Sequence, residues 1–267
     1  MRLKEKVAIV TGSAQGFGEG IARCLSEEGA QVVVADLNYE LAAKTADSFG
    51  GWAFAVDVTS EERVKALVGE TMERFGRLDV FVSNAGILKA GGLEEMTLAD
   101  FELVTKVNYT AFFLCAKYAS AAMKIQREAH PGRTFDIVEI NSKSGLDGSN
   151  KNFAYAGSKF GGIGLVQSFA KELVEYGIKV NAVCPGSYFD GPLWSDPERG
   201  LFVQYLNAGK APGAKTVGDV KAFYESKIPM NRGCYPKDVA KAILYCIEQE
   251  YETGQAVPVT GGQIMLR

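Results

Sequence analysis

The sequence predicts an α/β fold, a doubly wound parallel sheet with helices on both faces, and three observations carry that prediction. Short β-branched or apolar runs alternate with longer stretches of helical periodicity, and the first run ends in a glycine-rich turn. No repeat, low-complexity tract or linker divides the 267 residues, and with 47% hydrophobic residues they can bury a full core without disulfides or a structural metal. One domain over residues 1–267 is expected.

Four apolar residues at 7–10 suit a strand buried on both faces. Thr11-Gly12-Ser-Ala-Gln15-Gly16-Phe17-Gly18 follows and leads into helical spacing over 17–29. Further strands are expected at 31–34, 52–56, 80–82, 135–138 and 179–183, with helices near 38–48, 60–75, 99–127 and 152–176 between them. From about 189 to 233 the rhythm breaks: Pro192, Pro197, Pro212 and Pro229 are interspersed with Trp194, Phe202, Tyr205, Phe223 and Tyr224. Connections in such folds usually run ~2–6 residues, so this segment is expected to be a lid containing short helices. A helix near 236–249 and a strand at 255–260 close the pattern.

Composition excludes several functions. A net charge of -3 supplies no positive field for a phosphate polymer, so nucleic acid is not an expected partner. The apolar run at 7–10 is far too short for a signal-peptide core or a membrane span, and a cytoplasmic location is expected. Cys24, Cys115, Cys184, Cys234 and Cys246 are scattered without Cys-x-x-Cys spacing, which suggests buried, reduced thiols. The single histidine, His130, sits in the turn composition Glu-Ala-His-Pro-Gly. Proton chemistry must therefore rest on another residue type, and any metal on oxygen ligands.

The glycine turn after the first strand suits a pyrophosphate, whose charge is met by the free N–H groups of a helix N-terminus. Its spacing is Gly-x-x-x-Gly-x-Gly, which also fits tight packing alone. Asp36 ends the second strand, where a carboxylate can accept bonds from both ribose hydroxyls and repel a 2′-phosphate; alone it would also suit a solvated strand-end acid or a helix cap, but its register with the glycine turn favours the ribose. Neither Gln15 nor Leu37 offers a positive charge, so NAD is expected over NADP. Asp57 and Asn84-Ala85-Gly86 stand after the third and fourth strands, at the sheet edge where ligands of open α/β sheets bind.

Tyr155-Ala-Gly-Ser-Lys159 places a phenol and an ammonium at i and i+4 on one helix face. A phenol of reference pKa ~10 becomes a base near neutrality only with roughly 4 kcal/mol of preferential stabilisation of the phenolate. A neighbouring Lys⁺ and an oxidised nicotinamide can supply it, although the same spacing serves a packed tyrosine beside a snorkelling lysine. Ser142, in Asn141-Ser-Lys-Ser-Gly145 after the fifth strand, can donate to a substrate oxygen at the same edge.

Thr11-Gly-x-x-x-Gly-x-Gly18, Asn84-Ala-Gly86, Asn108, Ser142, Tyr155-x-x-x-Lys159 and Pro185-Gly186 together resemble the short-chain dehydrogenase/reductase family over the whole chain. The resemblance implies a Rossmann-like fold, with Tyr155 as general acid/base, Lys159 lowering its pKa and holding the nicotinamide ribose, Ser142 orienting the reacting oxygen and Asn108 fixing a water in a proton relay. It implies that Gly12, Gly16, Gly18, Asp36, Asp57, Val58, Asn84, Pro185 and Gly186 hold NAD, with Gln15, Phe17, Leu37, Ala85 and Gly86 beside them. It also implies no metal and a homotetramer or dimer.

Ile140-Asn-Ser-Lys-Ser-Gly145, Lys159-Phe-Gly-Gly162, Glu175-Tyr-Gly-Ile178, Pro229-Met-Asn-Arg-Gly-Cys234 and Thr260-Gly-Gly-Gln-Ile-Met265 resemble family members that act on a polyol phosphate. A polyol or sugar phosphate is thus the expected small-molecule substrate. Its phosphate would be gripped by some of Lys143, Lys151, Lys227 and Arg232, with Asn152, Asp190 and Trp194 nearby. Asp190 departs from the threonine common in the family's Pro-Gly-x-x-x context and tells against a phosphate close to it. An unphosphorylated polyol, met by Asp190 and Asn152, is the alternative within enzymes. A nucleotide-sensing module without turnover is the alternative outside them.

Overall fold

The computed structural model describes residues 1–207 and 209–265. Seven parallel strands form one sheet: β1 (Val7–Thr11), β2 (Gln31–Asp36), β3 (Trp52–Ala55), β4 (Val80–Ser83), β5 (Phe135–Ile140), β6 (Ile178–Pro185) and β7 (Ala256–Val259). Their spatial order is β3-β2-β1-β4-β5-β6-β7. Strand order reverses at β1, leaving a crevice beyond the C-terminal ends of β1 and β4.

Alternation along the strands explains the two layers. Ile9, Phe81 and Ile137 face α3 (Glu61–Phe75), α5 (Ala111–Ala129) and α6 (Phe153–Leu173). Ala8, Val10, Val82 and Val138 face α1 (Gly16–Glu27), α2 (Tyr39–Asp47) and α10 (Pro236–Glu248). Both faces are covered, which is why the strands read as continuous apolar runs. Local chemistry sets several helix ends: Ser60 accepts from the Arg63 N–H at 3.3 Å to start α3, and Gly76 at φ +69° ends it.

The expected lid contains α7 (Pro192–Ser195), α8 (Leu201–Asn207) and α9 (Val217–Ser226). It has its own apolar core, in which the Trp194 ring lies 5.0–5.5 Å from those of Phe189, Phe202, Tyr205 and Tyr224.

One element departs from expectation. The helix expected over 99–127 is α4 (Leu98–Thr105) and α5 joined by a π-helical turn, Lys106–Thr110. Such a turn inserts one residue without ending the helix, so the apolar spacing runs on and does not reveal it.

Candidate active site

A cleft of about 1310 Å³ follows the C-terminal edge of the sheet under the lid. Most small-molecule pockets occupy roughly 300–1,000 Å³, so this one has room for a dinucleotide beside a substrate.

The glycine turn forms one end. Gly12 has φ +62°, and a Cβ there would meet Ala85 Cα at 2.8 Å, so only glycine lets the turn lie against the end of β4. Thr11 Oγ1 accepts from the N–H groups of Asn84 and Ala85 at 3.0 and 3.1 Å. In return, Asn84 Nδ2 donates to the Thr11 and Gly12 carbonyls, both at 2.9 Å. The turn is thereby fastened where α1 begins, with unsatisfied helix N–H groups available to an anion.

At the end of β2 the Asp36 carboxylate is held by the N–H groups of Ala14 and Asn38, both at 3.0 Å. Asp57 accepts from the N–H and hydroxyl of Thr59 at 2.9 and 2.8 Å. Every residue assigned above to the cofactor lines the cleft. Glycine turn, helix N-terminus and the acid at the end of β2 lie along one wall, an arrangement that fits a nicotinamide dinucleotide.

Tyr155 and Lys159 lie one turn apart near the start of α6, and Ser142 enters from the turn after β5; all three line the cleft. Lys159 is buried, its Nζ donating to the Ile140 carbonyl at 2.8 Å and lying 3.9 Å from Glu139 Oε1. Ser142 Oγ accepts from the Ser144 N–H at 3.1 Å, which leaves its own proton for a group in the cleft.

Asn108 sits in the π turn and does not line the cleft. Its Nδ2 donates to the Ile87 carbonyl at 2.9 Å and to Ser158 Oγ at 3.1 Å, while its Oδ1 accepts from the Ile87 N–H at 2.9 Å. Ser158 in turn donates to the Tyr155 carbonyl at 2.7 Å. A chain of bonds thus ties the π turn to the first turn of α6. The sequence marks Ser158 only by its place three residues after Tyr155, where a hydroxyl can reach back to the carbonyl.

Of the residues expected at the substrate, Lys143, Asn152 and Trp194 are among those that line the cleft. Asn152 Nδ2 donates to the Tyr205 hydroxyl at 3.0 Å, and its buried Oδ1 has no partner among the described residues. Trp194 serves mainly the lid core. Asp190 and Arg232 lie outside the cleft. Phe189 and Trp194 take the inward direction, and Asp190 pairs with Lys221 on α9 at 2.8 Å. Arg232 is held at 2.6 Å by Asp238, which also accepts from the Tyr235 N–H to start α10.

Lys151 and Lys227, also expected at the phosphate, line the substrate side, joined there by Lys89, Arg199 and Lys210, which the sequence did not single out. Lys151 has Glu95 at 3.7 Å. Lys143 Nζ donates to Gln263 Oε1 at 2.9 Å, and Lys227 Nζ lies 4.0 Å from the centre of the Phe223 ring. Neither Lys143 nor Lys227 has an ion-pair partner among the described residues. Burial and then the neighbouring Lys227 push the Lys143 ammonium below its ordinary range, with Asp147 opposing them.

Residues 6–194 match the family pattern described as short chain dehydrogenase. The chain belongs to the short-chain dehydrogenase family. This short-chain dehydrogenase is a nicotinamide-dependent oxidoreductase of CH–OH groups. It is 37% identical over 270 residues to sorbitol-6-phosphate 2-dehydrogenase of Escherichia coli (strain K12), covering 97% of this chain and 99% of the relative. It is also 30% identical over 269 residues to sorbitol dehydrogenase of Cereibacter sphaeroides, covering 99% and 100%. Among solved structures, sorbitol-6-phosphate 2-dehydrogenase from Erwinia amylovora superposes with a TM-score of 0.87 at 37% identity, over 97% of this chain and 100% of that one.

Proposed function

We propose that the protein oxidises a polyol phosphate with NAD, taking sorbitol 6-phosphate to fructose 6-phosphate. The observation that carries the phosphate is the pair Lys143 and Lys227, two cations lining one cleft without a carboxylate partner among the described residues. Two ammonium groups left together in a partly dry site favour a dianion between them. The likeness to the sorbitol-6-phosphate 2-dehydrogenases of Escherichia coli and Erwinia amylovora supports the same substrate.

In this reading the Tyr155 phenolate takes the proton of the C2 hydroxyl, while Ser142 donates a hydrogen bond to that oxygen and holds it as it becomes a carbonyl. When bound, the nicotinamide supplies the acceptor for the hydride that leaves C2. Lys159 stabilises the phenolate and holds the nicotinamide ribose. Asn108, through Ser158, fixes the turn that carries Tyr155.

Lys143→Met together with Lys227→Met is expected to raise KM for sorbitol 6-phosphate by tens of fold, about the worth of two lost charge-assisted bonds. Steady-state NADH formation measures it. An unchanged KM would remove the phosphate grip, and kcat/KM for sorbitol at or above that for its phosphate would favour an unphosphorylated polyol held by Asn152.

Asp36 supports NAD over NADP, since a 2′-phosphate would meet its carboxylate. Asp36→Ala is expected to lower the ratio of kcat/KM for NAD to that for NADP by roughly tenfold or more, the scale of a relieved like-charge contact. Wild-type turnover that is faster with NADP contradicts this assignment.

A further inference from the structure

Beneath the reacting centre lies a carboxylate that the mechanism above does not use. Glu139, on β5, is almost wholly buried, and its Oε1 stands 3.9 Å from Lys159 Nζ without a hydrogen-bond partner among the described residues. Its Oε2 accepts from Asn141 Nδ2 at 2.9 Å, and the same amide donates to the Lys159 carbonyl at 2.9 Å. The surroundings are shaped to admit it. A Cβ on Gly162 of α6 would come within 2.3 Å of Glu139 Oε1, so any side chain at that position would displace the carboxylate from where it lies.

We propose that Glu139 is the buried counter-charge of Lys159, a positioning residue that holds the ammonium at the floor of the site and limits the field it exerts on the Tyr155 phenol. An ammonium buried as deeply as Lys159 needs an anion to remain charged, and Glu139 is the only carboxylate within 4.0 Å of it among the described residues. Burial drives the Glu139 carboxyl upward from its ordinary range, while first Lys159 and then the Asn141 amide oppose that drive. Facing the pair from β6 is the Cys184 thiol, pushed up to about 12 chiefly by burial and next by Glu139. The Tyr205 phenol of α8 is engaged by Asn152 and is raised by burial, with the Asn152 bond opposing and Tyr155 adding more weakly. Neither offers Lys159 an alternative anion near neutral pH.

The inference rests on the pairing of Tyr155 with Lys159 proposed above, and two measurements separate the two ideas. The first is a stability comparison that involves no catalysis. Lys159→Met strands the Glu139 carboxylate in the interior and is expected to lower Tm; adding Glu139→Gln removes that charge and is expected to raise Tm above the Lys159→Met value. A double variant no more stable than Lys159→Met, or a Lys159→Met variant as stable as wild type, overturns the proposal. This comparison needs no folded Glu139→Gln single variant.

The second measurement is the pH profile of kcat/KM for Glu139→Gln with Lys159 intact. Without the counter-charge, Lys159 acts on Tyr155 unopposed, so the acid limb is expected to move down by about one pH unit, the scale of one nearby charge in a partly buried site. A purely structural role would lower the rate without moving the limb, and a limb that overlays wild type overturns the proposal. If Tyr155→Phe keeps its turnover, the catalytic reading fails while the stability comparison still decides whether Glu139 balances Lys159.

Discussion

Tyr155→Phe is expected to lower kcat by about 10³-fold while leaving the affinity for NADH within a fewfold of wild type. The substitution keeps the ring and the helix and removes one hydroxyl, so the loss reports proton transfer alone. No nearby group can take over. The only histidine, His130, lies beyond the end of α5 and is exposed, the Lys159 ammonium is a donor already engaged with the Ile140 carbonyl, and Ser142 is an alcohol. Affinity should survive because, in the proposed reading, the glycine turn, Asp36 and Asp57 hold the other half of the dinucleotide by means independent of the phenol. Initial rates of NADH formation together with a fluorescence titration of NADH decide the matter. Turnover within tenfold of wild type would remove Tyr155 as the acid/base, and it is the result required of a nucleotide sensor that performs no chemistry.

That the residues expected at the cofactor would share one cleft was legible in the sequence because their chemistry is local. A glycine turn after a strand and an acid at a strand end keep their meaning whatever surrounds them. The substrate side was less legible, since sequence gives neighbours without directions. Asp190 and Arg232 lie in the segment that borders the cleft, yet Phe189 and Trp194 claim the inward side of the lid and Asp238 captures the arginine. Lys143, Lys151 and Lys227 were named from the sequence together with Arg232, but only the fold, with Lys227 at the C-cap of α9 near Lys143, separates the cations that line the cleft from the one that does not. The π turn at Lys106–Thr110 stayed hidden because apolar spacing continues across it. Glu139 left a faint trace: an acid in an apolar run, two residues before Asn141, is placed by strand alternation on the same face as that side chain.

The same alternation puts a second buried pair at the far end of the sheet. Lys179 on β6 and Asp136 on β5 are paired in register, and Nζ lies 3.0 Å from Oδ1. Lys179 also donates to the carbonyls of Cys246, Ile247 and Gln249 at 2.5, 3.1 and 2.7 Å, closing the C-terminal end of α10. Lys179→Met keeps much of the volume but leaves a buried carboxylate and three carbonyls without their donor. The expected cost is about 3–5 kcal/mol in urea unfolding at pH 8. Its pH dependence identifies the cause. Burial, opposed by Lys179 and Lys6 and aided by Asp79, raises the Asp136 carboxyl to about 6, above its ordinary 3.8. A carboxyl raised on folding contributes stability that is full below its unfolded pKa and is lost as pH rises through the folded value, so the Asp136 contribution falls between about pH 4 and pH 6. Without Lys179 that fall extends to higher pH, because the carboxyl is held protonated more strongly still. The deficit of Lys179→Met is therefore expected to be smaller at pH 5 than at pH 8, and Asp136→Leu added to it should recover part of the loss at pH 8. A deficit that is the same at both pH values would assign the cost to the three carbonyls and exclude the buried charge.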